Sequence, residues 1–177
     1  MPSFTNLHKT MLISLTLILS LLSNSVYADV EDGMYNPPQY KDLRDNPRMG
    51  SMDCLVAAMY HESRGESKFA SVMVVAVITN RVTDVKRFPN GICSVVFAKN
   101  AFSFIGDKHS DEFKDLAQYR RLYKLAEYIM ENRDVILPLM GDTDHYHEVK
   151  VKPYWSKAEG FKKISRVDNH VFYSSDW

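Results

Sequence analysis

Two apolar blocks, Cys54–Met59 and Phe69–Val82, flank a polar stretch, Tyr60-His61-Glu62-Ser63-Arg64-Gly65-Glu66. Leu55, Ala58, Met59 and Glu62 fall at i, i+3, i+4 and i+7, one stripe of an α-helix. Glu62 therefore takes a place that the pattern reserves for an apolar side chain. The spacing predicts a helix from about Met52 to Arg64, with Ser51 as N-cap, Asp53 complementing the dipole and Gly65 marking the end. In the second block Val72–Ile78 is apolar on every face, so periodicity alone does not separate a buried helix from a buried strand. Length and the polar exit Thr79-Asn80-Arg81 favour a central helix over 69–82, against the β-branched composition. Ser67 can cap it; alternatively Ser63 and Glu66 form a capping box, with Glu66 bonding backbone.

Residues 83–111 read as a long connection, with turns at Pro89-Asn90-Gly91 and Gly106-Asp107 and two aromatics beside polar groups in Ala101-Phe102-Ser103-Phe104. A helix follows from Ser110 or Asp111 to about Arg133, with Phe113, Leu116, Tyr119, Tyr123, Ala126 and Met130 on one edge and Leu122, Leu125 and Ile129 on the other. Its Lys114, Arg120, Arg121 and Lys124 form a solvated face. Pro138 and Gly141 break the chain, and the period then changes. His145, His147, Val149 and Val151 alternate with Tyr146, Glu148 and Lys150, as in a strand. Lys162–Val167 and His170–Tyr173 flank a hairpin turn at Asp168-Asn169. The fold class expected is α+β, mainly helical, with a small C-terminal antiparallel sheet.

The N-terminus changes the picture of where this domain works. A mostly apolar run from Met11 to Leu22, then Ser23-Asn24-Ser25 and Val26-Tyr27-Ala28, reads as a signal peptide over residues 1–28. An uncleaved anchor is the alternative, although the run is shorter than the roughly 20 residues that a membrane span takes. Residues 29–50, with Pro37, Pro38 and Pro47, mixed charges and no apolar period, read as an extended or disordered lead-in. Residues 51–177 remain as one domain, exported to the periplasm or the cell exterior. The 22 basic and 22 acidic residues balance, which gives no argument for nucleic acid or an anionic membrane surface and leaves room for a neutral polymer such as a glycan. In an exported chain Cys54 and Cys93 are most simply a disulfide that encloses the Glu62 stretch; two buried thiols are the alternative.

A carboxyl facing inward at a helix C-terminus is disfavoured as an anion by desolvation and by the helix dipole, so Glu62 is expected to hold a proton at neutral pH, as a general acid must. Glu66 is its accessory. The bland reading of Glu62 is an ion pair with Arg64 or Arg81. A metal site is a rival: His145 and His147 on one strand face, joined by His61, His109 or His170 and by Asp142 or Asp144. Nucleophilic catalysis by Ser63, Ser103 or a cysteine is weaker, because no Gly-x-Ser-x-Gly elbow is present and the cysteines are most simply read as paired.

The stretch from Cys54 to Glu66 resembles the signature of the SleB-type cell wall hydrolases, which include spore-cortex-lytic enzymes. The resemblance continues in Asn80-Arg81-Val82, Phe88-Pro89-Asn90, Cys93-Ser94-Val95-Val96, Phe102-Ser103-Phe104, His145-Tyr146-His147, Pro153-Tyr154-Trp155 and Asn169-His170-Val171-Phe172-Tyr173. It implies a lysozyme-like catalytic domain that cuts the MurNAc–GlcNAc bond of peptidoglycan, as a lytic transglycosylase or a muramidase, without metal or other cofactor. The family's catalytic glutamate corresponds to Glu62. Glu66, Ser103, His145, Tyr146 and His147 are then the accessory or substrate-binding candidates, and a monomer acting on glycan strands is expected. The chain departs from the family at Ala101, where Gln is usual, at Phe104, where Trp is usual, and in the acids Asp142 and Asp144 ahead of His145. A wall-binding protein without activity is the rival from a different class.

Overall fold

The computed structural model describes residues 49–105 and 110–176. The expected signal peptide, nearly all of the lead-in, the Gly106-Asp107 turn and His109 lie outside the described residues. Helix α1 is Ser51–Ser63. Its N-cap is Gly50 rather than Ser51, because the Asp53 carboxylate accepts the Gly50 N–H at 3.1 Å and so holds the chain one residue earlier. All of Cys54–Tyr60 is shielded from solvent, so α1 is buried all round and not along one stripe. Glu62 is distinguished instead by its place in the last turn, where the helix leaves the core, and it is half-buried there.

Helix α2 is Lys68–Thr83, as expected, and Ser67 caps it by accepting the Ala70 N–H at 3.3 Å. A helix serves this apolar run because it satisfies its own backbone groups deep in the core, where a strand would need partners on both sides. The alternative Ser63–Glu66 capping box is not formed. Ser63 Oγ donates to the Met59 carbonyl at 2.7 Å and lies 2.8 Å from Ser71 Oγ, which ties α1 to α2. Gly65, at φ +87°, makes the turn between them in the left-handed region that favours glycine.

The long connection contains a short helix, α3, Ile92–Val96. Cys93 in α3 is bonded to Cys54 in α1, 39 positions away, and closing a loop of that length stabilises the fold by roughly 3–4 kcal/mol in the chain-entropy model. Helix α4, Leu116–Glu131, begins five residues later than its hydrophobic pattern suggests. Asp115 is the effective cap, accepting the Gln118 N–H at 2.8 Å, and Phe113 precedes the helix to pack edge-on against Tyr60 at 5.1 Å. Tyr119, Leu122, Leu125, Ala126 and Ile129 form its buried face, while Leu116 is partly exposed. A further turn of helix, α5, Arg133–Ile136, and a 3₁₀ turn, Leu137–Met140, lead to the sheet.

Strands β1 His145–Glu148, β2 Phe161–Val167 and β3 His170–Ser175 form an antiparallel sheet in the order β1-β3-β2. β1 stops at Glu148, short of the alternation that runs to Val151 in sequence, and Val151 is half-exposed. The β2–β3 hairpin turns at Asp168-Asn169 as expected, with Asp168 at φ +46°. Asp168 Oδ2 also accepts the Ser67 N–H at 2.8 Å, which fixes the hairpin tip to the start of α2. At the other end of α2, Asn80 Nδ2 donates to the carbonyls of Gly141 and Thr143, and Arg81 Nε to that of Asp144 at 2.7 Å. The polar exit of the apolar helix thus fastens the sheet to the helical body. The result is the expected α+β class, mainly helical with a small C-terminal sheet.

Candidate active site

Glu62 meets groups from two other parts of the chain. Its Oε1 accepts the Ser103 N–H at 3.2 Å and the Ser103 hydroxyl at 3.1 Å, and its Oε2 accepts the Tyr146 hydroxyl at 2.7 Å. Loop, helix end and β1 therefore converge on one carboxyl, which lies in the wall of a cavity of about 510 Å³. Phe102, Ser103, Tyr146, His147, Glu148 and His170 share that wall. Burial of the Tyr146 hydroxyl pushes its pKa well up, and the charge of Glu62 and their hydrogen bond push it further. Tyr146 therefore stays protonated, a fixed donor to Glu62.

Arg81 also lines this cavity and is buried. Burial draws its pKa below the ordinary arginine value, opposed by the charges of Asp144 and Glu62. Its guanidinium lies 5.4 Å from the ring centres of both Phe88 and Phe102, within cation–π range. Behind it Asp144 is buried against His145 Nδ1 at 2.9 Å, Arg87 at 3.0 Å and the Ser175 hydroxyl. Burial alone would raise the Asp144 pKa, but those bonds and the charges of His145 and Arg87 outweigh it and hold the carboxyl below its usual range.

The structure separates the two glutamates of the motif. Glu66 turns away from Glu62 and pairs with His170, its Oε2 2.9 Å from Nδ1, with both side chains nearly buried. His170 lines the cavity and its ring meets that of Tyr146 edge-on at 5.1 Å, and the charge of Glu66 also raises the Tyr146 pKa. His145 and His147 lie on the opposite face of β1 from Tyr146, where both pack against Trp155. His147 Nε2 is 3.1 Å from the Tyr173 hydroxyl and reaches the cavity rim. Among the described residues no group of three or more His, Cys, Asp or Glu is disposed to hold a metal ion. Ser63 is occupied in the α1–α2 contact, and the disulfide removes both thiols as nucleophiles.

Ala101 lines the cavity, whereas Phe104 stacks on His61 at 4.6 Å and is buried. Of the groups around Glu62, Asp144 and His170 are named from sequence only as possible metal ligands and Arg81 only as an ion-pair partner of Glu62. The available signal was a cation closing an otherwise apolar helix.

The cell wall hydrolase family model matches residues 65–173, a span that includes Glu66, Arg81, Ser103, Tyr146 and His170 and begins just after Glu62. Two spore cortex-lytic enzymes of Bacillus cereus are each 38% identical to this chain over 73 residues, which is 40% of this chain and 28% of theirs. The chain therefore aligns with under a third of those relatives. The catalytic domain of the germination-specific lytic transglycosylase SleB from Bacillus anthracis superposes with a TM-score of 0.53 at 23% identity, over 73% of this chain and 99% of that domain. That likeness establishes the shared fold.

Proposed function

The chain belongs to the cell wall hydrolase family, and on that premise we propose that it cleaves peptidoglycan glycan strands at the MurNAc–GlcNAc bond as a lytic transglycosylase, with Glu62 as its single acid and base. The observation that carries this reading is the Glu62 carboxyl, held at both oxygens by Ser103 and Tyr146 on the wall of an open cavity. Glu62 gives its proton to the glycosidic oxygen, the bond from that oxygen to the MurNAc anomeric carbon breaks, and GlcNAc leaves with a free hydroxyl. The Glu62 carboxylate, kept in place by the Tyr146 and Ser103 donors, then takes the proton of the MurNAc 6-hydroxyl. The 6-oxygen closes on the anomeric carbon to give a 1,6-anhydro ring, and Glu62 is again protonated. No water is consumed. Arg81 sets the field at the carboxyl, and Ser103 and Tyr146 position it.

Glu66 and His170 are positioning residues in this scheme: a carboxylate on Nδ1 leaves Nε2 as the nitrogen available to the cavity. We place the protein outside the cytoplasm, acting on the wall as a monomer; among the described residues no helix is long and apolar enough to cross a membrane. A second reading rests on Glu148, which lines the same cavity. With Glu148 activating a water, the chain would be a two-carboxylate muramidase. Digestion of purified peptidoglycan tests both readings: Glu62→Gln should fold and lose nearly all release, and release at the wild-type rate would sink the assignment. Products with new amines or N-termini would support an amidase or peptidase instead.

A further inference from the structure

We propose that a groove beside the Glu62 cavity, with Tyr154 at its edge, is a second saccharide subsite that holds the strand beyond the bond being cut. This rests on the glycan-cleaving reading above. The groove has a volume of about 340 Å³, the size of a small-ligand site, and its walls include Phe88, His145, Tyr154, Trp155 and Phe161. Arg81, Asn100 and Ala101 line both this groove and the Glu62 cavity, so the two adjoin. Ala101, whose side chain ends at Cβ, is one of the residues they share.

Two neighbouring aromatics on the 3₁₀ turn Tyr154–Lys157 are used in opposite ways. Trp155 is fixed in the fold, against Phe161 at 5.0 Å, His145 at 5.3 Å and Tyr173 at 5.5 Å. Tyr154 is 91% exposed, the largest exposure among the large hydrophobic side chains described. A rigid turn that carries a bare aromatic ring at the edge of a groove is a stacking platform for an amphipathic ring such as a pyranose, whose C–H face is apolar and whose edge is hydroxylated. Asn100 supplies an amide for sugar hydroxyls or N-acetyl groups. Lys99, exposed on the same rim, supplies a cation for the carboxylates carried by muramyl units.

The test uses Glu62→Gln as a non-cutting trap and titrates it with GlcNAc–MurNAc oligosaccharides of increasing length by calorimetry. Affinity should rise about tenfold between fragments that fill only the Glu62 cavity and those long enough to reach Tyr154, the scale of one stacked ring. Adding Tyr154→Ala should remove that gain with length, and Tyr154→Trp should restore it. An equal gain with length in the Tyr154→Ala background would overturn the subsite while leaving the Glu62 reading intact. Absence of saccharide binding at every length would overturn both.

Discussion

Helices α1 and α2 bury Cys54–Tyr60 and Val72–Ile78 with apolar side chains on all sides, whereas the buried positions in and just before the sheet include Thr143, Asp144, His170, Ser174 and Ser175. In the helical body the buried polar groups Ser63 and Ser71 pair with each other and serve the packing. On the sheet side Asp144, His170 and Ser175 are bonded across to Arg87 and Glu66, and Tyr146 reaches Glu62. The helical body supplies stiffness, the Glu62 carboxyl at a helix end and the buried Arg81; a loop supplies Ser103, and the sheet supplies Tyr146 and the buried polar network behind it. Changes in the apolar helical interior should therefore cost mainly stability, and changes to the groups that bond Glu62 should cost mainly activity.

The largest departure from equal effects is expected at the point where the halves meet. Glu62→Gln should lower release of soluble glycan fragments by about 10³-fold, within the range for a general acid, with an unchanged melting temperature. A parallel fall in melting temperature would place Glu62 in the structural half instead. Next comes the helical clasp. Replacing both cysteines, Cys54→Ser with Cys93→Ser, should lower unfolding free energy by about 3–4 kcal/mol in urea titrations while kcat of the folded fraction stays near wild type. On the sheet side Tyr146→Phe removes one bond to a carboxylate. It should lower kcat by about 10- to 100-fold, equivalent to roughly 1.5–3 kcal/mol, with little change in stability.

The smallest effect sharpens the comparison through pH. The Asp144 pKa is depressed in the folded state, so its bonds add stability above the unfolded value of about 4 and lose it as pH falls through the folded value. Melting curves should therefore decline below about pH 4 in the wild type. Asp144→Asn should start lower at pH 7 and decline less steeply. An identical acid slope in both proteins would remove Asp144 from this account.

Much of the helical body was readable because burial on every face leaves long apolar runs, and the hairpin because Asp168-Asn169 interrupts two strand-like segments. Helix starts were less so: Ser51, Ser110 and Asp111 are all reasonable caps, and only the folded chain selects Gly50 and Asp115. No apolar stripe marks out Glu62, since α1 has no exposed face along Cys54–Tyr60 to contrast with it. Ser103 and Tyr146 lie 41 and 84 positions from Glu62, beyond any local pattern, and they entered the candidate set alongside a family resemblance. That same set included His145, which the alternation of a strand turns to the other face, and His147, which packs on Trp155 yet still lines the cavity. The burial of Arg81 and Asp144 was not legible, because a charged residue at an element's end is ordinarily solvated and their burial depends on how the elements meet.

The most direct test of the central claim, that Glu62 alone supplies acid and base, is the mass spectrum of peptidoglycan fragments released by the wild-type protein. The account predicts glycan ends lighter by one water, the 1,6-anhydro form, absent after Glu62→Gln. Reducing ends with water incorporated would contradict it and shift the second catalytic group to Glu148.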